Sequence, residues 1–435
     1  MKNFWKLKGD RVIWIIIVFF AMISIAAVFS SSSYLAAKKD VAKTAIFLEQ
    51  TRSVLFGFIT LFICYLIPLR VYRALAFVVF GAAIAMLVML YIPGMQDVRN
   101  GAVRGIKLFG VTFQVFELAK VAVILYLAKA LELWEDCLYD FKPFALKILL
   151  PVGAVCLLIL PNSFSSTLLI AMISFIILFF MDTEWKNIGI TAGILVVALC
   201  LSFGIYSAFV KGKPTAELNG VEKIFNRFGT VEERFSNFLS ADEVDISNLS
   251  AEERARIEDD QRQSNNAKVA ISQGGLFGKG PGKSTQRYSL SMAFSDFIYA
   301  FIVEEYGLLL GGIGVISLYL IFLFRSIRLC ARCKETFSSV LVTGLSFLIA
   351  CQAFLHILVN VRLIPITGHT LPLISHGGTA YLVLSGAFGM ILSVNKQLDK
   401  QQEYERQMMQ PQEDSQVAAD NILTEQNYEQ DENNN

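Results

Sequence analysis

The sequence predicts an all-α polytopic membrane protein of ten transmembrane helices, with a large outer loop between spans 7 and 8. Three observations carry that reading. Of 435 residues, 54% are hydrophobic and 17% charged, and 35 are Phe, more apolar surface than a soluble domain can hide. The apolar residues come in blocks rather than at amphipathic spacing, and about 20 of them in a helix cross a bilayer core of roughly 30 Å. The charges lie mostly between the blocks and nearly cancel, Lys+Arg 38 against Asp+Glu 37. That balance leaves no basic field to hold a nucleic-acid backbone, which excludes DNA and RNA as partners.

The first block, Val12 to Phe29, follows Lys2, Lys6, Lys8 and Arg11. It is too long for the apolar region of a leader and many more blocks follow, so it is expected to be an uncleaved first span. Spans 2 to 7 are Val54 to Leu69, Ala74 to Ile92, Phe113 to Leu131, Phe144 to Leu160, Ser165 to Met181 and Ile188 to Val210. Pro151, near the start of the fifth, is tolerated because neighbouring helices re-satisfy the freed backbone groups. Residues 211–295 form an extracytoplasmic loop of mixed charge, too long for a simple connection and expected to be functional. Spans 8 to 10 are Phe297 to Phe324, Phe337 to Val359 and Thr379 to Val394, within 296–395. Residues 396–435, rich in Gln, Asn and Glu, read as a disordered cytoplasmic tail.

An even number of spans puts both termini on one side. Arg70, Arg73, Lys186, Arg325, Arg328, Arg332 and Lys334 share the side of the basic residues 1–11, which is therefore expected to be cytoplasmic. Lys38, Lys39 and Lys43 in the first outer loop run against that pattern. Of seven cysteines, Cys64, Cys156, Cys200 and Cys351 fall inside spans, so no disulfide framework is expected. Cys330 and Cys333 form a C-x-x-C without a second pair or a His on that side, which reads as two free thiols at a helix end rather than a metal site.

Charge inside lipid costs about 2.5–3.5 kcal/mol at a helix centre on insertion scales, so the few buried ionisable residues are informative. Glu117 and Lys120 lie three apart on one face of the fourth span and can pair. That pair reads either as a packing lock or as a guide for an anionic headgroup. Asp296 opens the run DFIYAFIVEEYG at the outer interface, where partial desolvation makes a carboxylate a useful proton acceptor; Ser295 or Asp296 could equally cap the helix. Glu304 and Glu305 follow two turns later. The segment GGLFGKGPGKS, Gly274 to Ser284, suggests a phosphate loop, but Walker A spacing would need Gly at 277, which is Phe277, and no strand precedes it. A nucleotide site is rejected; backbone N–H groups facing a pyrophosphate stay open. PITGHTLPLISHGGTA, Pro365 to Ala380, implies irregular backbone packed in protein or lining a cavity. Its His369 and His376 lack a third metal ligand and read as hydrogen-bonding side chains.

These four segments, in this order, resemble the SEDS family (shape, elongation, division and sporulation) of ten-span peptidoglycan polymerases. GAVRGIKLFGVTFQVFELAK, Gly101 to Lys120, resembles the family's GAxRWIxLGxxxxQPSELAK and retains Arg104, Gln114, Glu117 and Lys120. Gln263 to Gln286 resembles QS…AIxxGGLFGxGxGxSxQ, Ser295 to Gly307 resembles TDFIFAxxxEELG, and Leu371 to Ala380 resembles LPxISYGGSS. The resemblance covers the chain from the first span to the last, without the tail. Departures are Gly105 for Trp, Val115-Phe116 for Pro-Ser, residues 291–295 for PEAHT, Tyr288 for an acidic residue, Pro161-Asn162-Ser163-Phe164 for the Pro-Asp motif opening the sixth span, and His376 for Tyr.

The resemblance implies a peptidoglycan glycosyltransferase that polymerises lipid II, the undecaprenyl-pyrophosphate-linked disaccharide-pentapeptide, at the outer face of the bacterial inner membrane. Asp296 matches the family's essential Asp and suits the base for the acceptor hydroxyl. Arg104 and Lys120 are candidates for stabilising the departing phosphates. By the same resemblance Glu117, Gln263, Ser264, Gly274, Gly275, Ser375, Gly377 and Gly378 are substrate-binding candidates. The implied partner is a class B penicillin-binding protein (transpeptidase) within the division machinery. No metal ligand set or cofactor is named, and a divalent cation stays open. The motif wording leans toward the division branch, with septal localisation, over the rod-shape branch. A flippase for lipid-linked oligosaccharide and a silent scaffold for the transpeptidase are the alternatives from other classes.

Overall fold

Runs of Leu, Ile, Val, Phe and Ala offer the backbone no hydrogen-bond partner in lipid except itself, which selects helices. The computed structural model describes residues 8–31, 43–92, 94–99, 102–108, 111–181, 183–210, 229, 232, 251–286 and 295–433. In chain order these form α1 (Arg11–Ser31), α2 (Lys43–Leu66), α3 (Leu69–Met89), β1 (Gln96–Arg99), β2 (Ala102–Leu108), β3 (Val111–Phe113), α4 (Val115–Leu133), α5 (Phe141–Ile159), α6 (Phe164–Phe180) and α7 (Trp185–Ile205). There follow α8 (Ala251–Gly274), α9 (Ile298–Tyr306), α10 (Gly314–Ala331), α11 (Thr336–Asn360) and α12 (Thr379–Asn433).

Seven helical segments are long and apolar enough to cross a membrane: α1, α2, α3, α5, α7, α9 with α10 (Ile298–Ala331) and α11. This makes the chain a multi-pass membrane protein. The remaining expected spans fall short for visible reasons. α6 is apolar but has 17 residues, α4 carries Glu117, Lys120, Lys129 and Glu132, and α12 runs from an apolar into a polar sequence.

Burial sorts the helices. In the apolar window of α11, 78% of residues are buried, against 28% in α2, α3 and α5, so α11 is central. α4, buried along most of its length, packs beside it with α6, α10 and α12 around them. The outer helices turn Ile15, Met22, Leu55, Val78, Leu157 and Phe180 outward, an apolar exterior that only lipid satisfies. α2 lies along α12 at close range: a Cβ on Gly389 would meet the Leu61 carbonyl oxygen at 2.4 Å, so a small residue sets the approach of the two backbones.

Three features depart from the sequence expectation. First, the stretch before α4 is not helix but an antiparallel sheet in the order β1-β2-β3, so the fold is helical with a small β element. Second, the eighth span is broken. Gly307 takes φ +79° after Tyr306, and a π-type turn, Gly307–Ile313, precedes α10. Third, residues 396–433, expected to be disordered, continue α12 as helix. Gln, Glu and Lys are good helix formers, and Asp399, Glu403 and Glu405 pair with Arg332, Lys8 and Lys334. Those pairs define one end of the bundle. Asp296 lies at the other.

Candidate functional site

Asp296 sits just ahead of α9 and is 8% exposed. It does not cap that helix: the position before Ile298 is Phe297, and no side chain closes the cap. Asn360, the last residue of α11, does related work from across the bundle. Its Oδ1 accepts from Ala300 N–H at 3.0 Å, and its Nδ2 donates to the carbonyl oxygens of Asp296 at 3.0 Å and His356 at 2.8 Å. Ser295 Oγ donates to Asp296 Oδ1 at 2.9 Å, and Ser375 Oγ donates to the Ser295 carbonyl at 2.9 Å while accepting from Leu371 N–H. The backbone of Ser295 and Asp296 is thus held by α11 and by the 361–378 loop, two elements distant in sequence, and the carboxylate accepts from the neighbouring Ser295.

The Glu117–Lys120 pair forms as the spacing predicts. Lys120 Nζ lies 2.6 Å from Glu117 Oε1 and 3.0 Å from Gln352 Oε1, and Gln352 Nε2 donates to the Thr370 carbonyl at 3.3 Å. One ammonium therefore ties α4 to α11 and, through Gln352, to the same loop that holds Ser295. Burial first, and the Lys120 ammonium after it, push the His369 imidazole in that loop down to about 3. His369 is neutral at physiological pH.

The Gly-rich segment is built for a different task. Gly278 N–H bonds the Gly274 carbonyl, Lys279 and Gly280 N–H bond the carbonyls of Glu304 and Glu305, and Leu308 N–H bonds the Gly275 carbonyl. Glu304, fully buried, accepts from Lys279 Nζ at 2.7 Å, from Thr285 N–H at 2.9 Å and from Ser284. Glu305 accepts from Gly282 N–H at 2.9 Å and from Ser30 of α1. These N–H groups serve the chain's own backbone carbonyls and the Glu304 and Glu305 carboxylates, so the open reading of a pyrophosphate cradle gives way to a buttress around α9. Gly274 belongs to it by necessity, since a Cβ there would stand 2.3 Å from the Val303 carbonyl oxygen.

The other candidates are spread around this core. Gln263 is buried and Ser264 half-buried on α8, one turn before Ala267 and Ala270, which pack on Phe297, Ala300, Phe301 and Val359. Gly377 and Gly378 precede Thr379, whose Oγ1 accepts from Gln114 N–H at 2.9 Å and donates to the Thr112 carbonyl; this joins the last loop to β3. The backbone of Arg104 is the extra residue of a bulge in β2, between the pairs Asp97↔Gly105 and Val98↔Val103; its side chain lies outside the described residues, as do residues 287–294. Gly105, where the family has Trp, leaves no room for a Cβ beside the Phe113 carbonyl oxygen at 2.3 Å. His376 Nδ1 meets Gln50 Oε1 at 2.6 Å, and Gln50 donates to Ser24, so the two loop histidines serve separate contacts.

Among the described residues no group of three or more His, Cys, Asp or Glu is placed to hold a metal ion. Cys330 and Cys333 are free thiols, and burial pushes the Cys333 thiol up to about 12. Asp296, Ser375, Glu117 and Lys120 come together as one hydrogen-bonded system, whereas Gly274 and Gly275 serve the buttress. Sequence reasoning passed over Gln352, His356 and Asn360. Their signal is a polar stripe at i, i+4 and i+8 on one face of an otherwise apolar span.

Comparisons with known proteins agree with this architecture. Two solved chains share the fold at 19% sequence identity: one from a study of structural coordination of polymerization and crosslinking by a peptidoglycan synthase complex (TM-score 0.66, covering 90% of this chain and 98% of that one), and the Thermus thermophilus rod shape determining protein RodA (TM-score 0.59, 91% and 98%). Sequence relatives include the probable peptidoglycan glycosyltransferases FtsW of Geobacter sp. (strain M18), 26% identical over 394 residues that cover 89% of this chain and 97% of the relative, and of Alcanivorax borkumensis, 29% identical over 344 residues, 78% and 80%. The family model of FtsW, RodA and SpoVE, described as "Cell cycle protein", matches residues 10–400. With that match running through the sheet, the Asp296 site and the last loop, the chain belongs to the FtsW/RodA/SpoVE family of cell cycle proteins.

Proposed function

We propose that this protein is a peptidoglycan glycosyltransferase of the FtsW type, polymerising lipid II into glycan strands for septal wall synthesis. The observation that carries the reading is the family match over residues 10–400, with a buried carboxylate, Asp296, at the head of α9. In the reaction Asp296 takes the proton of the acceptor sugar hydroxyl. The hydroxyl oxygen bonds to the anomeric carbon of the lipid-linked donor from the face opposite the phosphate, and the carbon–phosphate oxygen bond breaks with its electron pair leaving on the diphosphate. The departing charge is assigned to Arg104. Lys120, committed to Glu117 and Gln352, holds α4, α11 and the 361–378 loop in register.

The chain is read as ten spans with both termini cytoplasmic and residues 211–295 outside. Contacts between ends support α4, α6 and α12 as crossings beside the seven longer ones. α4 runs from Gln114, bonded to Thr379, to Glu132, paired with Arg73. α6 carries Ser165, bonded to Thr367, in its first turn and leads to Asn187, bonded to Leu138. α12 runs from Thr379 to Glu403, paired with Lys8. A class B penicillin-binding transpeptidase is the partner this reading calls for, a role in keeping with the solved relative from a complex that coordinates polymerization with crosslinking.

The test is purified protein with labelled lipid II, alone and with the transpeptidase. Glycan strands are expected, and Asp296→Asn should lower their rate by more than about a hundredfold, the range typical of a lost general base. Undiminished polymerisation by Asp296→Asn would remove that residue from the chemistry. Flipping of labelled lipid II in liposomes without any polymerisation would favour a transporter instead.

A further inference from the structure

α11 closes with a cap that ordinarily calls for glycine. Beyond Asn360 and Val361, Arg362 takes φ +57°; its N–H bonds the Val359 carbonyl at 3.0 Å, and Leu363 N–H reaches back to the Leu358 carbonyl at 2.8 Å. That pattern is a Schellman cap, whose left-handed position favours glycine because a Cβ there is strained. The chain carries an arginine instead, and its side chain is engaged. Nη1 donates to Asn265 Oδ1 of α8 at 2.8 Å, a neutral acceptor that fixes the guanidinium without cancelling its charge. Lys120, Lys107 and Lys279 each pair with a carboxylate. The Arg362 guanidinium pairs with none among the described residues, and Asn265 is its one hydrogen-bond partner there.

This cation stands at the Asp296 end of the bundle. Asn360, two Cα steps of about 3.8 Å earlier, donates to the Asp296 carbonyl at 3.0 Å and accepts from Ala300 N–H at 3.0 Å. Val359 packs with Phe297, Ala267 and Ala270, and Asn265 lies two residues before Ala267 on α8. We propose that Arg362 is an anion-binding residue for the diphosphate of a lipid-linked substrate, held on the rim of the Asp296 site by Asn265. With Nη1 taken by Asn265, the Nε–Nη2 edge keeps two parallel N–H donors, the fork that grips a phosphate bidentately. A strained backbone retained where glycine would fit better is the mark of a position kept for its side chain. The residue holds substrate before the chemistry begins, whereas the charge that develops on departure stays with Arg104.

This inference rests on the polymerase reading for the identity of its ligand, and its test separates the two. Radiolabelled undecaprenyl diphosphate is titrated onto the full-length protein in phosphatidylcholine nanodiscs, with empty nanodiscs as the blank. Arg362→Gly removes the fork and relieves the backbone. Binding should weaken by roughly tenfold to a hundredfold, the range for hydrogen bonds to a charged group, while the thermal unfolding temperature holds or rises. Arg362→Lys keeps the charge without the fork and should fall between the two. In glycan polymerisation KM for lipid II should rise in Arg362→Gly with kcat little changed, as for a contact made equally in the ground and transition states. Undiminished binding by Arg362→Gly overturns the proposal. So does a lower unfolding temperature in that variant, which would make the side chain a structural tie between α11 and α8. Displacement of the diphosphate by equimolar phosphatidylglycerol also overturns it, because the site would then seat any anionic lipid. Binding that falls as expected, in a protein that polymerises nothing even with the transpeptidase, would instead remove the polymerase reading and leave the anion site standing.

Discussion

Lys120 shows how a single residue can organise several elements. Its ammonium is buried in α4 with Glu117 at 2.6 Å and Gln352 at 3.0 Å, and a second oxygen, Glu117 Oε2, has no partner among the described residues. Removing one partner of a buried pair leaves an uncompensated charge, at a cost of about 3–5 kcal/mol. Lys120→Met should therefore lower the thermal unfolding temperature in detergent sharply, while Lys129→Met, whose half-exposed pairing with Glu132 spans 3.0 Å, should change stability by less than about 1 kcal/mol. The neutral double variant Glu117→Gln with Lys120→Met should recover much of the loss if the pair is a packing lock; equal damage in the single and double variants would point to a role outside packing. The pair itself was legible from i, i+3 spacing. Its third partner was not, because Gln352 is 232 residues away and only the packing of α11 on α4 brings it there. Asp296 was legible as a costly carboxylate at an interface, but the groups that hold it come from Asn360 and Ser375, residues whose relation to it is tertiary.

At the scale of elements, the helices were legible because apolar blocks of span length admit little else, and the exceptions have local causes. The sheet was readable in principle: VR, Asn100-Gly101 and AVRGIKL form a short run, a hairpin dipeptide and a second run, the strongest local signal for paired strands. The helix break at Gly307 was not readable, since it depends on the Gly-rich segment lying against the end of α9. That docking makes a prediction in which two glycines of one loop differ. Gly278 has φ +79°, and a Cβ there would stand 2.3 Å from the Glu305 carbonyl oxygen; Gly282 has φ +73°, and a Cβ there would meet nothing within 4 Å. Gly282→Ala should cost only the backbone strain of about 1 kcal/mol. Gly278→Ala adds a clash with backbone that cannot swing aside, so it should undock the segment. Limited proteolysis from the outer face should then cut near Lys279 faster in Gly278→Ala than in Gly282→Ala. Equal rates would mean that the buttress is not rigid enough to feel a methyl group.

At the scale of the whole molecule, the contacts between helix ends constrain the topology more tightly than hydropathy does. Lys8 touches Glu403, Arg325 touches Asp10, and Arg332 and Lys334 touch Asp399 and Glu405. Two segments that meet at one end of a bundle are separated by an even number of crossings, so a count of seven long apolar helices between Lys8 and Glu403 is incomplete. The charged α4, the short α6 and the apolar start of α12 restore parity. Hydropathy passes over α4 because its charges are satisfied inside the bundle. Between the Gly-rich segment and Glu403 the same reading allows three crossings, α9–α10, α11 and α12, so those two places face opposite sides of the membrane. Leu276, 56% exposed, and Tyr404, 64% exposed, are both accessible enough to report it. In a cysteine-free background, a membrane-impermeant maleimide applied to intact spheroplasts should label Leu276→Cys and spare Tyr404→Cys. Inside-out vesicles should reverse the pattern. Labelling of both positions from one side would break the parity argument, and with it the assignment of the basic end to the cytoplasm, because the ion pairs that define that end would then join segments on opposite faces of the bilayer.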